Sequence, residues 1–265
     1  MKKRADIVLF EKGFVDSREK AKRTIMEGSV YIGNERVLKP GDKIDDESDI
    51  YIKDNPIKYV SRGGLKLEKA IEEFGINLKN VVAMDIGAST GGFTDCMLKE
   101  GASKVYAVDV GYGQLDWSLR QDPRVVVMER TNIRNITRDD IEEDLDFVSI
   151  DVSFISLKLV LPIAKALMKD NAELIALIKP QFEAGRDKVG KNGIVREKET
   201  HIEVVNSIIK FLSEKGFGPT NLSFSPITGA KGNIEFLIYT VSNGECLVDL
   251  DKIISIVNLA HETLK

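Results

Sequence analysis

The segment VVAMDIGASTGGFTD, residues 81–95, constrains the possible folds of this chain more than any other stretch. Its apolar start, residues 81–84, predicts a buried strand that ends at Asp85. Glycines at positions 87, 91 and 92 then lead the chain through a tight turn into a helix predicted for 91–100. A strand, a glycine-rich turn and a helix in this order are typical of the ligand-binding turn in a doubly wound α/β sheet.

The chain beyond residue 60 continues this alternation of strand and helix patterns. A helix is predicted for 65–74, and Gly75 is its stop signal. Further strands are predicted at 104–110, 124–128, 146–151 and 173–178, with further helices at 156–169 and 198–215. Two strands, near 221–225 and at 235–240, follow one another with only a loop between them, before a last helix at 248–264. The pattern predicts an α/β fold with a mostly parallel seven-stranded sheet whose terminal strand is antiparallel.

The glycine turn lacks two signatures of phosphate-binding turns, which narrows the choice of its ligand. Ser89 stands where a dinucleotide-binding turn needs its second glycine, and Phe93 stands where a Walker loop needs lysine. Asp109 ends the next predicted strand, where a carboxylate accepts hydrogen bonds from both hydroxyls of an unphosphorylated ribose. Small residues at 87–92 let the backbone pass close to an amino-acid tail. A purely structural turn without a ligand is the alternative.

This spacing resembles the S-adenosylmethionine site of class I (Rossmann-like) methyltransferases. The resemblance implies S-adenosylmethionine as the cofactor, without a metal. Residues 87–93 would hold its methionine part, Asp109 its ribose, and Asn132 and Ile133 its adenine. The implied cofactor-binding residues are Asp85, Gly87, Ser89, Thr90, Gly91, Gly92, Phe93, Asp109, Val110, Asn132 and Ile133.

The residues at the end of the fourth predicted strand narrow the choice of methyl acceptor. Amino-directed methyltransferases carry Asn/Asp-Pro-Pro-Tyr/Phe at this place, whereas residues 151–154 of this chain read Asp-Val-Ser-Phe. An enzyme that methylates carbon five of a pyrimidine needs a cysteine nucleophile. Cys96 lies in the middle of a predicted helix and Cys246 lies in the tail, so neither is well placed for that role.

Ionisable residues stand instead at the ends of other predicted elements. Lys66 lies in the helix 65–74, Asp151 ends the fourth strand, Lys179 follows the fifth and Glu235 opens the last. This order resembles the Lys-Asp-Lys-Glu catalytic tetrad of ribose 2′-O-methyltransferases of the FtsJ type. A lysine whose pKa is lowered by burial and by a second ammonium group can take the proton of a ribose hydroxyl, while carboxylates orient both amines. Four unrelated surface charges are the alternative.

The first 54 residues predict a small α+β module with a basic face. Residues 2–23 contain eight basic and four acidic side chains, or 8 − 4 = +4, although the whole chain carries −4. A local basic face binds a polyanion whatever the global charge. The stretch SREKAKRTIMEGSVYIGNERVLKPG, which begins at Ser17, the predicted N-cap of a helix at 18–27, is similar to the RNA-binding domain named after ribosomal protein S-four. That resemblance implies RNA contacts by Arg4, Ser17, Arg18, Lys20, Lys22 and Arg23.

The S-four-like stretch followed by KYVSRGGLKL, DIGASTGGFTD, AVDVGYGQLDW, IDVSFISL and LIKPQFEAG resembles the TlyA family. Its members are 2′-O-methyltransferases of ribosomal RNA, and some carry an older label of haemolysin. The resemblance implies an RNA-binding domain at 1–54, a linker at 55–61 and a methyltransferase domain at 62–265. It further implies ribosomal RNA as the partner, with a cytidine as the acceptor, and no membrane.

Composition fits this interpretation and leaves two alternatives open. Two cysteines form no disulfide framework, which favours the cytoplasm, and no apolar run approaches the roughly 20 residues of a membrane span. A membrane-lytic protein, as the haemolysin label suggests, is one alternative. A catalytically inactive RNA-binding adaptor is the other. The sequence leaves the target nucleotide, the ribosomal subunit and the oligomeric state open.

Overall fold

Contacts within the chain divide it into two compact units, Met1–Ile57 and Lys58–Lys265. The computed structural model describes residues 2–26, 28–33, 35–52 and 58–264. Residues 58–61, which the sequence analysis assigns to the linker, pack with the larger unit, because Tyr59 is buried and the Val60 N–H donates to Asp95. The predicted linker residues 55–57 lie outside the described residues. The domain boundaries stay a prediction.

The smaller unit combines two helices with short strands. Its elements are β1 (Lys2–Arg4), α1 (Ala5–Glu11), α2 (Arg18–Met26), β2 (Val30–Ile32), β3 (Glu35–Arg36), β4 (Lys43–Asp45) and β5 (Ile50–Ile52). Strand β1 pairs with β4, and β2 lies between β3 and β5, with every pairing antiparallel. The Ser17 Oγ accepts a hydrogen bond from the Lys20 N–H, as expected of a helix N-cap. Glu27, the last residue of the predicted helix, lies outside the described residues.

The larger unit is built on one seven-stranded sheet. Its strands are β6 (Val82–Ile86), β7 (Lys104–Val108), β8 (Val125–Met128), β9 (Leu145–Ile150), β10 (Met168–Ile178), β11 (Phe217–Phe224) and β12 (Phe236–Ser242). Their order in the sheet is β11-β12-β10-β9-β6-β7-β8. Strands β6 to β10 are parallel to one another, and β12 runs antiparallel to both β10 and β11. The predicted antiparallel terminal strand is therefore confirmed.

Helices cover both faces of this sheet. They are α3 (Gly64–Phe74), α4 (Gly92–Lys99), α5 (Trp117–Gln121), α6 (Leu157–Leu167), α7 (Pro180–Glu183), α8 (Lys198–Glu214) and α9 (Leu250–Thr263). Met84 and Ile86 of β6 pack into one apolar cluster with α6, α8 and α9, while Ala83 packs into a second cluster with α3 and α4. Alternate residues of one strand thus serve two cores, which explains why the strand is apolar without a polar face. The fold is that of a class I, Rossmann-like methyltransferase.

The structure differs from the sequence prediction at the fifth strand. Helix α6 ends at Leu167, and β10 begins at Met168 rather than at 173. The pairing register of β10 with β9 shifts between Met168 and Glu173, and Asn171 adopts a left-handed backbone with φ of 61°. The irregular start of β10 carries polar residues, so an apolar run in the sequence does not predict it. Among the helices of the described residues, none is long and apolar enough to cross a membrane.

The contact between α8 and α9 pairs the buried His201 with the partly buried His261. The Nδ1 of His201 lies 2.9 Å from the Nε2 of His261, and the His201 ring packs edge-on against Phe236. Burial, together with the charge of His261, lowers the pKa of His201 to about 4. The folded chain therefore keeps His201 neutral at a pH where the unfolded chain protonates it.

This pair predicts a loss of stability in mild acid. Because the folded pKa of His201 lies below the unfolded value, its contribution to stability is complete above about pH 6.5 and is lost at about 1.4 kcal/mol per pH unit as the pH falls towards 4. Urea unfolding of the wild type and of His201→Gln between pH 4.5 and 7 should show a shallower pH dependence for the variant. Identical slopes for the two proteins would contradict the assignment.

Candidate active site

The glycine turn is fixed from below by Asp85. This carboxylate is fully buried at the end of β6, where its Oδ2 accepts hydrogen bonds from the N–H and the Oγ1 of Thr94 in α4. Its Oδ1 accepts a hydrogen bond from Ser149 of β9. Burial raises the pKa of Asp85 to about 7. These hydrogen bonds hold α4 in position beneath the turn. The cofactor contact that the resemblance implies for Asp85 stays a prediction.

Two glycines of the turn have no room for a side chain. Gly87 adopts a φ of +89°, and a Cβ atom there would lie 2.6 Å from the carbonyl oxygen of Asp151. Gly91 adopts a φ of +93°, and a Cβ atom there would lie 2.2 Å from Leu119. The turn therefore passes directly over the end of β9 and under the side chain of Leu119. Close approach of the backbone, rather than flexibility, explains both glycines.

A cavity of about 390 Å³ opens at the carboxyl ends of β6, β7 and β9. We call it the strand-end cavity, and its size is within the range of small-molecule sites. Asp109 lies in its wall, with its carboxylate fixed by the N–H groups of Ser89 (2.8 Å) and Gly111 (2.7 Å). The lining includes the sequence-predicted residues Gly87, Ser89, Asp109, Val110, Asn132 and Ile133. Gln114 and Thr131, which the sequence analysis did not select, also line it.

A second cavity of about 240 Å³ lies over the glycine turn itself. We call it the glycine-turn cavity. Its lining includes the sequence-predicted residues Gly87, Ser89, Thr90, Gly92, Phe93, Asp151 and Lys179. Of the predicted cofactor residues, all of which belong to the described chain, only Asp85 and Gly91 line neither cavity. Asp85 supports the turn from below, and Gly91 packs beneath Leu119.

The four ionisable residues singled out from the sequence come together in the structure. Lys66 of α3 places its Nζ 2.6 Å from the Glu235 Oε2 and 3.5 Å from the Asp151 Oδ2. The Nζ of Lys179, which follows β10, lies 2.5 Å from the Asp151 Oδ1. The two lysines are more than nine-tenths buried, and Glu235 is buried almost completely. We call this group the tetrad.

Charge pairing decides the protonation of two members of the tetrad. Burial alone would lower the pKa of Lys66, but the charges of Asp151 and Glu235 outweigh it, so the pKa of Lys66 is raised. Burial alone would raise the pKa of Asp151, but the ammonium groups of Lys66 and Lys179 outweigh it, so that pKa is lowered. At neutral pH Lys66 is therefore an ammonium group and Asp151 a carboxylate. The sequence predicts a lysine of lowered pKa that takes the ribose proton, and Lys66, whose pKa is raised, does not fit that role.

A third cavity, of about 300 Å³, lies on the other side of the tetrad. We call it the lysine cavity. Lys66 and Glu235 line only this cavity, whereas Lys179 lines both it and the glycine-turn cavity. Asp151 lines the glycine-turn and strand-end cavities. The tetrad therefore forms the wall between the lysine cavity and the two cavities around the glycine turn.

Three residues of this wall were not predicted from the sequence. Ser153 lines all three cavities, and its Oγ accepts a hydrogen bond from Lys179 at 3.1 Å. Phe154 is 91% exposed and has a φ of 64°, an uncommon combination for a large apolar residue. Its ring centroid lies 5.0 Å from that of Phe182 in α7. Their positions just beyond the ends of β9 and β10 are the signal that could have found them, because such loops line the ligand crevice of this fold.

The smaller unit presents most of its predicted RNA-binding residues to solvent. The side chains of Arg4, Arg18, Lys20 and Arg23 are exposed, and that of Lys22 is half-buried. Ser17 contributes the cap of α2. Across the described residues there is no group of three or more His, Cys, Asp or Glu side chains arranged to hold a metal ion. The expectation that the protein works without a metal stays a prediction.

Comparisons with known proteins agree with this architecture. The family described as "FtsJ-like methyltransferase" matches residues 59–241, and the family described as "S4 domain" matches residues 3–50. The protein "Putative rRNA methyltransferase YqxC" of Bacillus subtilis (strain 168) is 52% identical over 100% of this chain and 96% of its own length. "16S/23S rRNA (cytidine-2'-O)-methyltransferase TlyA" of Mycobacterium tuberculosis (strain ATCC 25618 / H37Rv) is 40% identical over 89% of this chain and 88% of its own length.

A solved structure supports the same assignment over the full chain. "Putative hemolysin from Streptococcus thermophilus" has a TM-score of 0.80 and 47% identity, and the match covers 99% of this chain and 96% of that one. The fold and these matches define a methyltransferase with an S4 domain. The chain belongs to the FtsJ-like methyltransferase family, in the branch that contains the TlyA ribosomal RNA methyltransferases.

The packing of Gly87 predicts that a side chain at this position lowers the stability of the protein, and Gly113 offers a matched control. Gly113 has a φ of +70°, but a Cβ atom placed there would have no neighbour within 4 Å, so Gly113→Ala should cost about 1–2 kcal/mol of unfolding free energy through its backbone alone. Gly87→Ala should cost about 2–4 kcal/mol, because its Cβ also meets the Asp151 carbonyl. Equilibrium urea unfolding measures both. Equal losses for the two variants would show that the turn does not press on β9.

Proposed function

We propose that this protein transfers a methyl group from S-adenosylmethionine to the 2′-hydroxyl of a cytidine in ribosomal RNA, in the cytoplasm. One observation carries the proposal: the buried tetrad forms the wall between the lysine cavity and the two cavities around the glycine turn. A donor bound on one side and an acceptor bound on the other would meet at Lys179 and Asp151. The Mycobacterium tuberculosis relative, which is named as a cytidine-2'-O-methyltransferase, supports the choice of ribose and of cytidine.

The residues around the glycine turn fit S-adenosylmethionine. The Asp109 carboxylate is held by two backbone N–H groups and keeps lone pairs for the hydroxyls of a ribose. Val110 and Ile133 supply apolar walls for an adenine, and Gly87 lines both the strand-end and the glycine-turn cavities, where its backbone can face an amino-acid tail. When bound, S-adenosylmethionine supplies an electrophilic methyl group.

The chemistry required of the protein is removal of one proton from a poorly acidic hydroxyl. Lys66 is a fixed ammonium group and Asp151 a fixed carboxylate, so neither changes its proton during the reaction. Lys179 borders both the donor and the acceptor sides, and we assign it to the 2′-hydroxyl as the general base that accepts the proton. Ser153 and Asp151 hold the Lys179 amine in place, while Glu235 holds Lys66.

Two further features suit an RNA acceptor. Phe154 presents an exposed ring beside the lysine cavity, where a nucleobase attached to the ribose can stack on it. The exposed basic side chains of the smaller unit can bind RNA phosphates, which hold the substrate without selecting its sequence. The assembled tetrad favours an enzyme over an inactive adaptor, because burying four charged groups is costly unless they are paired and serve a function.

The cofactor assignment predicts an affinity loss at Asp109. Asp109→Ala should weaken S-adenosylmethionine binding by about 1–3 kcal/mol, since charge-assisted hydrogen bonds to the ribose are lost. Asp122→Ala is the control, because Asp122 pairs with Arg124 and lines none of the cavities described above. Isothermal titration calorimetry measures both. An unchanged affinity for Asp109→Ala would remove the residue from the site.

The catalytic assignment predicts a large rate effect at Lys179. Lys179→Ala should lower the single-turnover rate of methyl transfer at least about 100-fold under saturating cofactor and ribosomal subunits, the scale of a lost general base. Lys179→Arg should restore little, because a guanidinium group stays protonated. Lys69→Ala is the matched control: Lys69 lies one turn beyond Lys66 on α3, where its ammonium donates to the Phe224 carbonyl at 2.7 Å.

Two outcomes would contradict the tetrad assignment. A near-wild-type rate for Lys179→Ala would remove the base, and with it the argument for a ribose acceptor. A near-wild-type rate for Lys179→Arg would show that Lys179 orients the hydroxyl by charge and does not accept its proton. Lys69→Ala should keep a rate close to that of the wild type, which separates catalysis from a general loss of lysine charge on α3.

A further inference from the structure

Two arginines of the smaller unit share one buried carboxylate. Asp6 is fully buried in the first turn of α1. The Nε and Nη2 of Arg4 donate to its Oδ1 and Oδ2 at 2.9 and 3.2 Å, and the Nη2 of Arg18 donates to its Oδ2 at 3.3 Å. Arg4 precedes α1 and Arg18 opens α2, so one carboxylate ties together the starts of both helices. We call these three residues the arginine fork.

The arginine fork is fixed on its buried side and open on its exposed side. Hydrogen bonds from Arg4 lower the pKa of Asp6, and Arg18 lowers it further. Burial acts in the opposite direction but is outweighed, so the pKa is lowered and the carboxylate stays charged. The side chains of Arg4 and Arg18 remain 48% and 50% exposed. A guanidinium group has five N–H donors, and Asp6 takes two from Arg4 and one from Arg18. Donors on both arginines are therefore available to a further anion.

An arginine with a fixed plane is better suited to a phosphate than a freely moving one. Guanidinium groups bind phosphate through parallel N–H donors, and a preorganised fork loses less side-chain entropy when it does so. The side chains of Arg4 and Arg18 are about half exposed, so their remaining N–H donors can reach a phosphate in solvent.

We propose that Asp6 is a positioning residue that holds Arg4 and Arg18 as a preorganised pair of phosphate-binding groups for RNA. The inference rests on the proposed function, since it takes ribosomal RNA as the substrate. It assigns Asp6 a role although its charge is of the wrong sign for direct contact with RNA. The repulsion between the Asp6 carboxylate and RNA is outweighed by the gain in RNA affinity from the fixed geometry of the two arginines.

The sign of the Asp6→Asn effect separates positioning from simple charge. If only net charge mattered, removal of a carboxylate from a basic unit would tighten RNA binding. If Asp6 positions the two arginines, the same substitution should weaken binding about 10-fold, as expected for the loss of well-oriented phosphate contacts. Asp16→Asn is the matched control, because it removes the same charge from an exposed residue that pairs only with Lys20 among the ion pairs described.

The experiment uses the full-length protein and transcripts of 16S and 23S ribosomal RNA in filter-binding titrations at several salt concentrations. Asp6→Asn should bind about 10-fold more weakly than the wild type, and Asp16→Asn should bind equally or slightly more tightly. A double-mutant cycle tests whether Asp6 acts through the arginines. Adding Asp6→Asn to the double variant Arg4→Gln/Arg18→Gln should change its affinity by less than about 2-fold, because the groups that Asp6 positions are absent.

A conservative variant keeps the test open if Asp6→Asn does not fold, which circular dichroism of the full chain would show. Arg18→Lys retains the charge but lacks the planar fork, and it should bind about 3- to 10-fold more weakly than the wild type. In that case wild-type affinity for Arg18→Lys would overturn the proposal.

Other outcomes distinguish a wrong role for Asp6 from a wrong proposed function. A folded Asp6→Asn protein that binds RNA as tightly as the wild type, or more tightly, would overturn the positioning role of Asp6 alone. An undiminished effect of Asp6→Asn in the Arg4→Gln/Arg18→Gln background would also overturn it, since Asp6 would then act through something else. A wild-type protein that neither binds nor methylates ribosomal RNA would overturn the proposed function together with this inference.

Discussion

The carboxylate of Asp151, held between the ammonium groups of Lys66 and Lys179, is the interaction on which the site depends. Two lysines more than nine-tenths buried would be unstable side by side without it, because desolvation and mutual repulsion both act against the charged forms. The same residue presents its carbonyl oxygen to Gly87, where a Cβ atom would lie at 2.6 Å. Asp151 therefore couples the tetrad to the glycine turn through one short stretch of chain at the end of β9.

The order of strands in the sheet explains how four residues so far apart in sequence meet. Strands β6, β9 and β10 are parallel neighbours, so their carboxyl ends lie at one edge and bring the glycine turn, Asp151 and Lys179 together. Strand β12 runs in the opposite direction, with Phe236 paired to Ile178. Its beginning thus lies beside the end of β10, which places Glu235 at the same edge. An all-parallel sheet would have moved Glu235 to the opposite edge.

Much of this arrangement follows from sequence patterns, and the exceptions have physical reasons. The tetrad residues could be selected because each stands at the end of a strongly patterned element, and the structure brings them into contact. A cofactor contact of Asp85 is implied only by the resemblance to class I methyltransferases and stays a prediction; its hydrogen bonds with Thr94 and Ser149 depend on packing that no linear pattern shows. Phe154 is not predicted from the sequence, because no pattern indicates that a phenylalanine is 91% exposed with a left-handed backbone. Asp6 counted only as one of the acids that reduce the basic charge, since a buried carboxylate between two arginines depends on how α1 meets α2.

Nucleoside analysis of the product shows whether the methyl group reaches a ribose oxygen across the tetrad. Purified protein, isotopically labelled S-adenosylmethionine and unmodified ribosomal subunits are incubated together, and the RNA is digested to nucleosides and separated by mass spectrometry. Transfer to a ribose predicts label in 2′-O-methylcytidine and its absence when Lys179→Ala replaces the wild type. Label in a base-methylated nucleoside would contradict it, because Lys179 and Asp151 would then not face a ribose hydroxyl.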